Sequence, residues 1–366
     1  ASVYGSDAVA GVVNYIFRRD FKGLEVNYNH QFSDIGSQND DKISILFGEN
    51  FGNSHLVIAG EFLDRSSLSS SLRPELSQLA ISGLGNSFLL FGSSNVEAGP
   101  YKGSYSPFTN VPDANCIENN GFIIPQAIGS RCGFLYGPRF NLVNNEEHQN
   151  IYGSLKSDMP NGLEFNIDVL SSNIKVIDNP QSPSYPALSY LSPSNAILAE
   201  QAGNPFGVPI LWLGRPLGSS FPSPNAPRES ENIRLSFGLK GTIIGFDWDF
   251  RYTHSKSEHY IYQPDTSTKK FSDAIAGKGG SSGDESWNLF DPSANSSSLV
   301  KWISTAQETW TKNELDVLDL VFSGDFVSTQ EGSIDIAFGL QYREEAFDVK
   351  RDKNLIIILF ITKSIL

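Results

Sequence analysis

The sequence predicts an all-β protein: an antiparallel up-and-down transmembrane β-barrel, of which about nine strands are present. Three observations predict it. Apolar and polar residues alternate with period two in segment after segment, which sends them to opposite faces of a strand. The connections sort by length, short ones at one end and three very long ones at the other, as outer-membrane barrels sort theirs. No window of eighteen apolar residues occurs in the 366, so no helix is predicted to span a bilayer. A barrel strand needs an apolar residue only at every second position.

The chain opens on small residues, Ala1, Ser2, Gly5, Ser6, Ala8, Ala10 and Gly11, followed by a β-branched and aromatic run from Val12 to Phe17. Small residues let backbones approach closely. The first strand follows over Leu24–Phe32, with Leu24, Val26, Tyr28 and Phe32 on one face and Glu25, Asn27, Asn29 and Gln31 on the other. A polar loop, Ser33–Asp41, leads to the second strand, Lys42–Glu49, whose apolar face is Ile43, Ile45 and Phe47. Phe51-Gly52-Asn53-Ser54 is a tight turn. The third strand is His55–Asp64, with Leu56, Ile58 and Phe62 apolar.

A long segment rich in Ser, Gly, Asn and Pro then runs from Arg65 to His148, with a short helix expected within Arg73–Leu84. The fourth strand is Gln149–Ser157, and Pro160-Asn161-Gly162 signals a hairpin. In the fifth, from Leu163 to about Ile177, Leu163, Phe165, Ile167 and Val169 oppose Glu164, Asn166 and Asp168. A second long loop spans Asp178–Ser230. The sixth strand, Glu231–Thr242, carries Ile233, Leu235, Phe237 and Leu239 on one face and turns at Ile244-Gly245. In the seventh, Phe246, Trp248, Phe250 and Tyr252 oppose Asp247, Asp249, Arg251 and Thr253. A third long loop is expected over Tyr262–Lys312, the eighth strand over Glu314–Phe326 and the ninth from Ser333 to Arg343 or Val349. The tail, Leu355–Leu366, does not alternate and is too short for a spanning helix. It reads as an atypical segment, a truncation scar or a change of reading frame, outside the barrel.

The net charge of −14 argues against nucleic acid as a partner, because phosphates demand a basic face. Two cysteines, Cys116 and Cys132, lie in the first long loop. They are either a pair of buried thiols or, outside the cytosol, a disulfide, and the disulfide is the favoured reading. Catalytic motifs are not found. His254 and His259 have no zinc spacing, and His30, His55 and His148 stand apart in the chain. Gly277–Gly283 is glycine-rich without the Walker arrangement, and there is no GxSxG elbow. Arg18 and Arg19 either help dock the end of the N-terminal stretch on the polar barrel wall or belong to a solvated turn.

Tyr4-Gly5-Ser6-Asp7-Ala8 and Ala10-Gly11-Val12-Val13-Asn14 together resemble the end of the plug domain of TonB-dependent outer-membrane receptors. Asn204-Pro205-Phe206-Gly207 and the hairpin from Gly324 to Phe347 resemble strings of the same family. The resemblance implies that residues 1–22 close a plug domain, that 23–352 are part of an outer-membrane barrel with long external loops at 65–148, 178–230 and 262–312, and that 353–366 stand outside it. It also implies that an export signal, a TonB-contacting segment, most of the plug and further strands lie beyond this sequence. The implied function is energised uptake of a scarce nutrient, a siderophore, cobalamin or an oligosaccharide. The implied partners are the TonB complex of the inner membrane, outer-membrane lipid and the small nutrient, in the outer membrane of a Gram-negative bacterium. No cofactor, metal or catalytic residue is implied. A passive porin and a soluble secreted β-rich binding module are the competing expectations.

Overall fold

The computed structural model describes residues 17–36, 38–181, 188–189, 196–201, 203–217, 221–329, 332–352 and 358–365. The plug-like motif, Tyr4 to Asn14, lies outside the described residues. Most of the chain is strand. One antiparallel sheet of ten strands forms a wall, and each strand pairs with the next in chain order. These are β1 (Gly23–Phe32), β2 (Asn39–Phe51), β3 (Ser54–Arg65), β4 (Asn145–Asp158), β5 (Glu164–Asp178), β6 (Arg228–Ile243), β7 (Phe246–Thr266), β8 (Ser304–Thr329), β9 (Gly332–Arg351) and β10 (Ile358–Ile365).

Register keeps the alternation in phase across the wall. Leu24, Val26 and Tyr28 face Phe47, Ile45 and Ile43, which in turn face Ile58, Gly60 and Phe62. Further along, Leu239, Phe250, Leu320 and Leu340 form one row, and Phe237, Tyr252, Leu318 and Tyr342 the next. Phe322 and Phe338 stack at 5.0 Å on the same face. Yet this apolar face is uncovered: Leu24 is 66% exposed and Phe338 and Leu340 57% each. Away from the cap, the buried wall residues lie on the opposite face and are mostly polar: Ser154, Asn166, Asp168, Ser236 and Thr253, with Val57 and Tyr152. Burial in the wall is therefore inverted relative to a sheet that packs its apolar face into a core.

Two expectations need correction. The third loop is shorter than Tyr262–Lys312, because β7 continues to Thr266 and β8 begins at Ser304. Residues such as Gln263, Gln307 and Thr309 are polar on both faces, so the ladder outruns the hydrophobic pattern. Among the described residues the wall has ten strands rather than nine: Ile358–Ile365, in the tail, pairs with β9 from Val349↔Ile358 to Tyr342↔Ile365. β-Branched residues suit a strand even where the two faces do not contrast.

The connections β2–β3, β4–β5 and β6–β7 are short and sit at one end of the wall. Ile244 and Gly245 join β6 to β7 with φ values of 50° and 81°, the left-handed pair that a two-residue hairpin requires. At the other end, the described residues of 66–144, 179–227 and 267–303 fold into a cap with a core of its own. The described hydrophobic core of the protein is here, not in the wall. The cap sheet joins Asn110–Pro112, Ser87–Leu90, Ile210–Gly214 and Leu188–Ser189, taken from the first two loops. The third loop adds α1 (Thr268–Ile275) and α2 (Ser297–Ile303). Ser267 and Ser296 cap these helices by accepting from the amides of Lys270 and Leu299. Phe271, Ala274 and Ile275 face inward at i, i+3 and i+4. The segment expected to be helical over Arg73–Leu84 forms only one turn, Pro74–Ser77.

One aromatic cluster ties the three loops together. Phe88 stacks on Phe290 at 4.7 Å and meets Tyr101 edge-on at 5.8 Å, and Phe206 lies 5.3 Å from Tyr101. Arg215 is buried in the same cap, its Nε donating to the Leu84 carbonyl at 3.0 Å and its guanidinium 4.5 Å from the Phe134 ring. Burial, with the charge of Arg139 beside it, pushes its pKa down to about 10.

Cys116 and Cys132 form a disulfide, both buried, closing a loop with a sequence separation of 16. The amide of Cys132 donates to Ser87 Oγ at 2.8 Å, so the bridge is anchored to the cap sheet. Replacing both cysteines with alanine is expected to destabilise this part of the cap by about 3 kcal/mol. Hydrogen exchange should quicken over Gly121–Leu135 and stay unchanged in β5 to β8.

Candidate functional site

The polar face of β1 to β6 receives the segment from Phe17 to Lys22. Gly48 in β2 makes this possible: a Cβ there would collide with the Phe21 carbonyl. Arg18 reaches back to Glu25 at 3.2 Å and lies 4.7 Å from the Phe21 ring. Arg19 extends across the wall to Asp168 on β5 at 2.9 Å. Phe17 stacks on Tyr152 of β4 at 4.5 Å with an interplanar angle of 12°.

Asp168 is the centre of this arrangement. It is only 7% exposed, and a buried carboxylate is costly unless donors surround it. Tyr152 donates its hydroxyl to Oδ1 at 2.9 Å, Arg19 donates to Oδ2 at 2.9 Å, and Asn166 Nδ2 donates to Oδ2 at 3.3 Å. Gly238 on β6 leaves the space that the Asn166 amide occupies. The segment is thus held by a charge-assisted bond and an aromatic stack, beside a cleft of about 390 Å3 that includes Leu46, Val57, Tyr152 and Leu170. The arrangement fixes the segment to the wall at two points, one charged and one aromatic.

Arg19 joins the wall as a sequence reading places it, but its partner is 149 residues away. Asp168 reads only as one polar residue of an alternating strand. Three of the histidines, isolated in sequence, acquire cross-strand partners: His30, His55 and His254. His30 Nδ1 lies 2.7 Å from Asp41 and His254 Nδ1 2.9 Å from Asp316. Tyr28 and Tyr252, each two residues before its histidine, donate to the same two carboxylates. Both groups sit at the edge of the apolar face nearer the cap. Among the described residues, no three His, Cys, Asp or Glu side chains are grouped to hold a metal ion. No described helix is long and apolar enough to cross a membrane.

No protein-family model matches the chain. No curated protein matches it either. The geometry of wall, cap and docked segment therefore carries the functional reading by itself.

Replacing Gly48 with alanine is expected to loosen the Phe17–Lys22 segment at a cost of about 1–3 kcal/mol. Faster hydrogen exchange confined to that segment, with β2 and β3 still protected, is the expected result.

Proposed function

We propose that the chain is part of an outer-membrane receptor of the TonB-dependent kind, its wall a sector of a lipid-embedded barrel, its cap external, and residues 1–22 the end of a plug. The observation that carries this reading is the inverted burial of the wall. A contiguous apolar face far larger than monomers normally expose calls for a non-aqueous neighbour. Lipid supplies one at no cost in hydrogen bonds, provided every strand is paired. Among the described residues β1 and β10 are each paired on one side only, so hydrocarbon requires hydrogen-bond partners at both edges.

The docked segment favours a gated receptor over a passive porin. A porin keeps its polar face open to water, whereas Phe17 and Arg19 lie across this one. In the proposed cycle the cap takes up a scarce nutrient, a siderophore, cobalamin or an oligosaccharide. A complex in the inner membrane, reached through a segment other than this one, then pulls the plug. Breaking the Arg19–Asp168 bond is the step at which residues 17–22 leave the wall. The role is transport and not catalysis.

The test uses single cysteines introduced into a variant lacking Cys116 and Cys132, reconstituted in lipid vesicles and labelled with a fluorophore. Labels at Val26, Leu235 and Leu340 should be quenched by lipid-borne quenchers, and labels at Asn27, Ser172 and Asn313 by iodide. Iodide quenching at both sets would refute the membrane reading. Uptake by intact cells that survives a protonophore would refute energised transport while leaving the membrane reading intact.

A further inference from the structure

The cap has a cavity of about 440 Å3 at the junction of its three loops, within the range of about 300–1,000 Å3 common to small-molecule pockets. Pro100 and Tyr101 come from the first loop, Gly203 and Pro205 from the second, and Ser286, Trp287, Asn288, Phe290 and Asp291 from the third. Tyr101 and Trp287 are buried and form the base; Phe290 and Asp291 are half-buried; Pro100, Gly203 and Ser286 are exposed at the rim. The floor is rigid, because Tyr101 and Phe290 belong to the aromatic cluster that joins the loops.

We infer that this cavity binds a neutral, hydroxyl-rich ring compound, one or two sugar units in size. The inference rests on the receptor reading above and narrows its nutrient to that class. Three observations carry it. The half-buried Phe290 ring, with Pro100 and Pro205, offers flat apolar surface to the C–H side of a sugar ring. Polar groups at the rim offer acceptors: among the described residues, the Asp291 carboxylate takes one side-chain hydrogen bond, from Ser293. No Lys or Arg lines the cavity.

The electrostatics oppose an anion. Burial pushes the Asp113 carboxyl up, and the charge of Asp291 adds to the shift. Burial and then the charge of Asp113 push the Tyr101 phenol up as well. With Asp291 in the lining, a chelate of net negative charge would meet a like charge and, among the lining residues, no cationic partner. Each loop is also balanced overall: residues 66–144 carry four Lys or Arg and four Asp or Glu, residues 179–227 one of each, and residues 267–303 four of each. The negative charge of the protein therefore resides outside the three loops, and the cap attracts neither sign over distance.

The full chain in detergent micelles is titrated by calorimetry with neutral disaccharides of glucose, galactose, xylose and N-acetylglucosamine, then with ferric citrate and spermidine. At least one disaccharide is expected to bind. Ser286→Trp, which fills the mouth from an exposed position, should weaken it at least tenfold, a loss of about 1.4 kcal/mol or more. Asp291→Asn should weaken it less, with circular dichroism unchanged in both variants. Binding of ferric citrate or spermidine in place of every sugar would overturn the inference. So would unchanged sugar affinity in Ser286→Trp, or no sugar binding at all. Because micelles carry no energised membrane, sugar binding without uptake in cells would count against transport alone. Membrane insertion without sugar binding would count against this inference alone.

Discussion

Phe88→Ala is expected to cost about 3–5 kcal/mol and to undo the cap while leaving the wall intact. Phe88 is 1% exposed. Its ring touches partners from all three loops: Tyr101 in its own, Phe206 in the second and Phe290 in the third. Its backbone lies between Val111 on one side and Trp212 on the other. Removing the ring leaves a cavity that these rigid neighbours cannot fill, and the loss includes both burial and packing. The wall does not share this core, so its ladder should survive. Near-ultraviolet circular dichroism should fall while the far-ultraviolet strand signal persists. Leu79→Ala, at a residue of the same loop that is 79% exposed, should change stability by no more than about 0.5 kcal/mol. Joint loss of cap and wall in Phe88→Ala would show that the two are one cooperative unit.

Leu340→Lys should destabilise the protein in lipid by about 2–4 kcal/mol, the cost of a cation facing the middle of a bilayer. Leu340 lies midway along β9 on the apolar face, opposite Leu320 and between Phe338 and Tyr342 on its own strand. In water, the same substitution at an exposed position would fall within about 0.5 kcal/mol of neutral. Ser172→Lys is the matching control. Ser172 is on the polar face between Asn150 and Asn232, and the exchange should be tolerated in either medium. Unfolding of both variants in urea from lipid vesicles gives the comparison. Equal stability of Leu340→Lys and the parent would remove lipid from that face.

Much of the wall is legible in the sequence because strand alternation is a local signal. Leu24, Val26 and Tyr28 announce β1 within a few residues, and Phe246 to Thr253 announce the start of β7. The ends of β7 and β8 are not legible, because Gln263 and Thr309 show no contrast between faces. β10 is hidden for the opposite reason: Ile358, Leu359, Phe360 and Ile361 are apolar on both. The cap is the largest thing the sequence conceals. Its segments are rich in Ser, Gly, Asn and Pro and read as loop, and each supplies only scattered apolar residues. Phe88 and Phe290 become neighbours only when loops two hundred residues apart are brought together. The docking site is concealed in the same way, since nothing near Asp168 announces Arg19.

The shared core of the cap has a consequence for engineering and for descent. A loop on an ordinary barrel can be exchanged singly, as a cassette, because it packs only on itself. Here a transplanted third loop would arrive without the Phe88 and Phe206 that Phe290 packs on, and the recipient would keep two halves of an orphaned cluster. Under the proposed function, new specificity should therefore come either from point changes at the rim, at Pro100, Gly203 or Ser286, or from inheriting all three loops together.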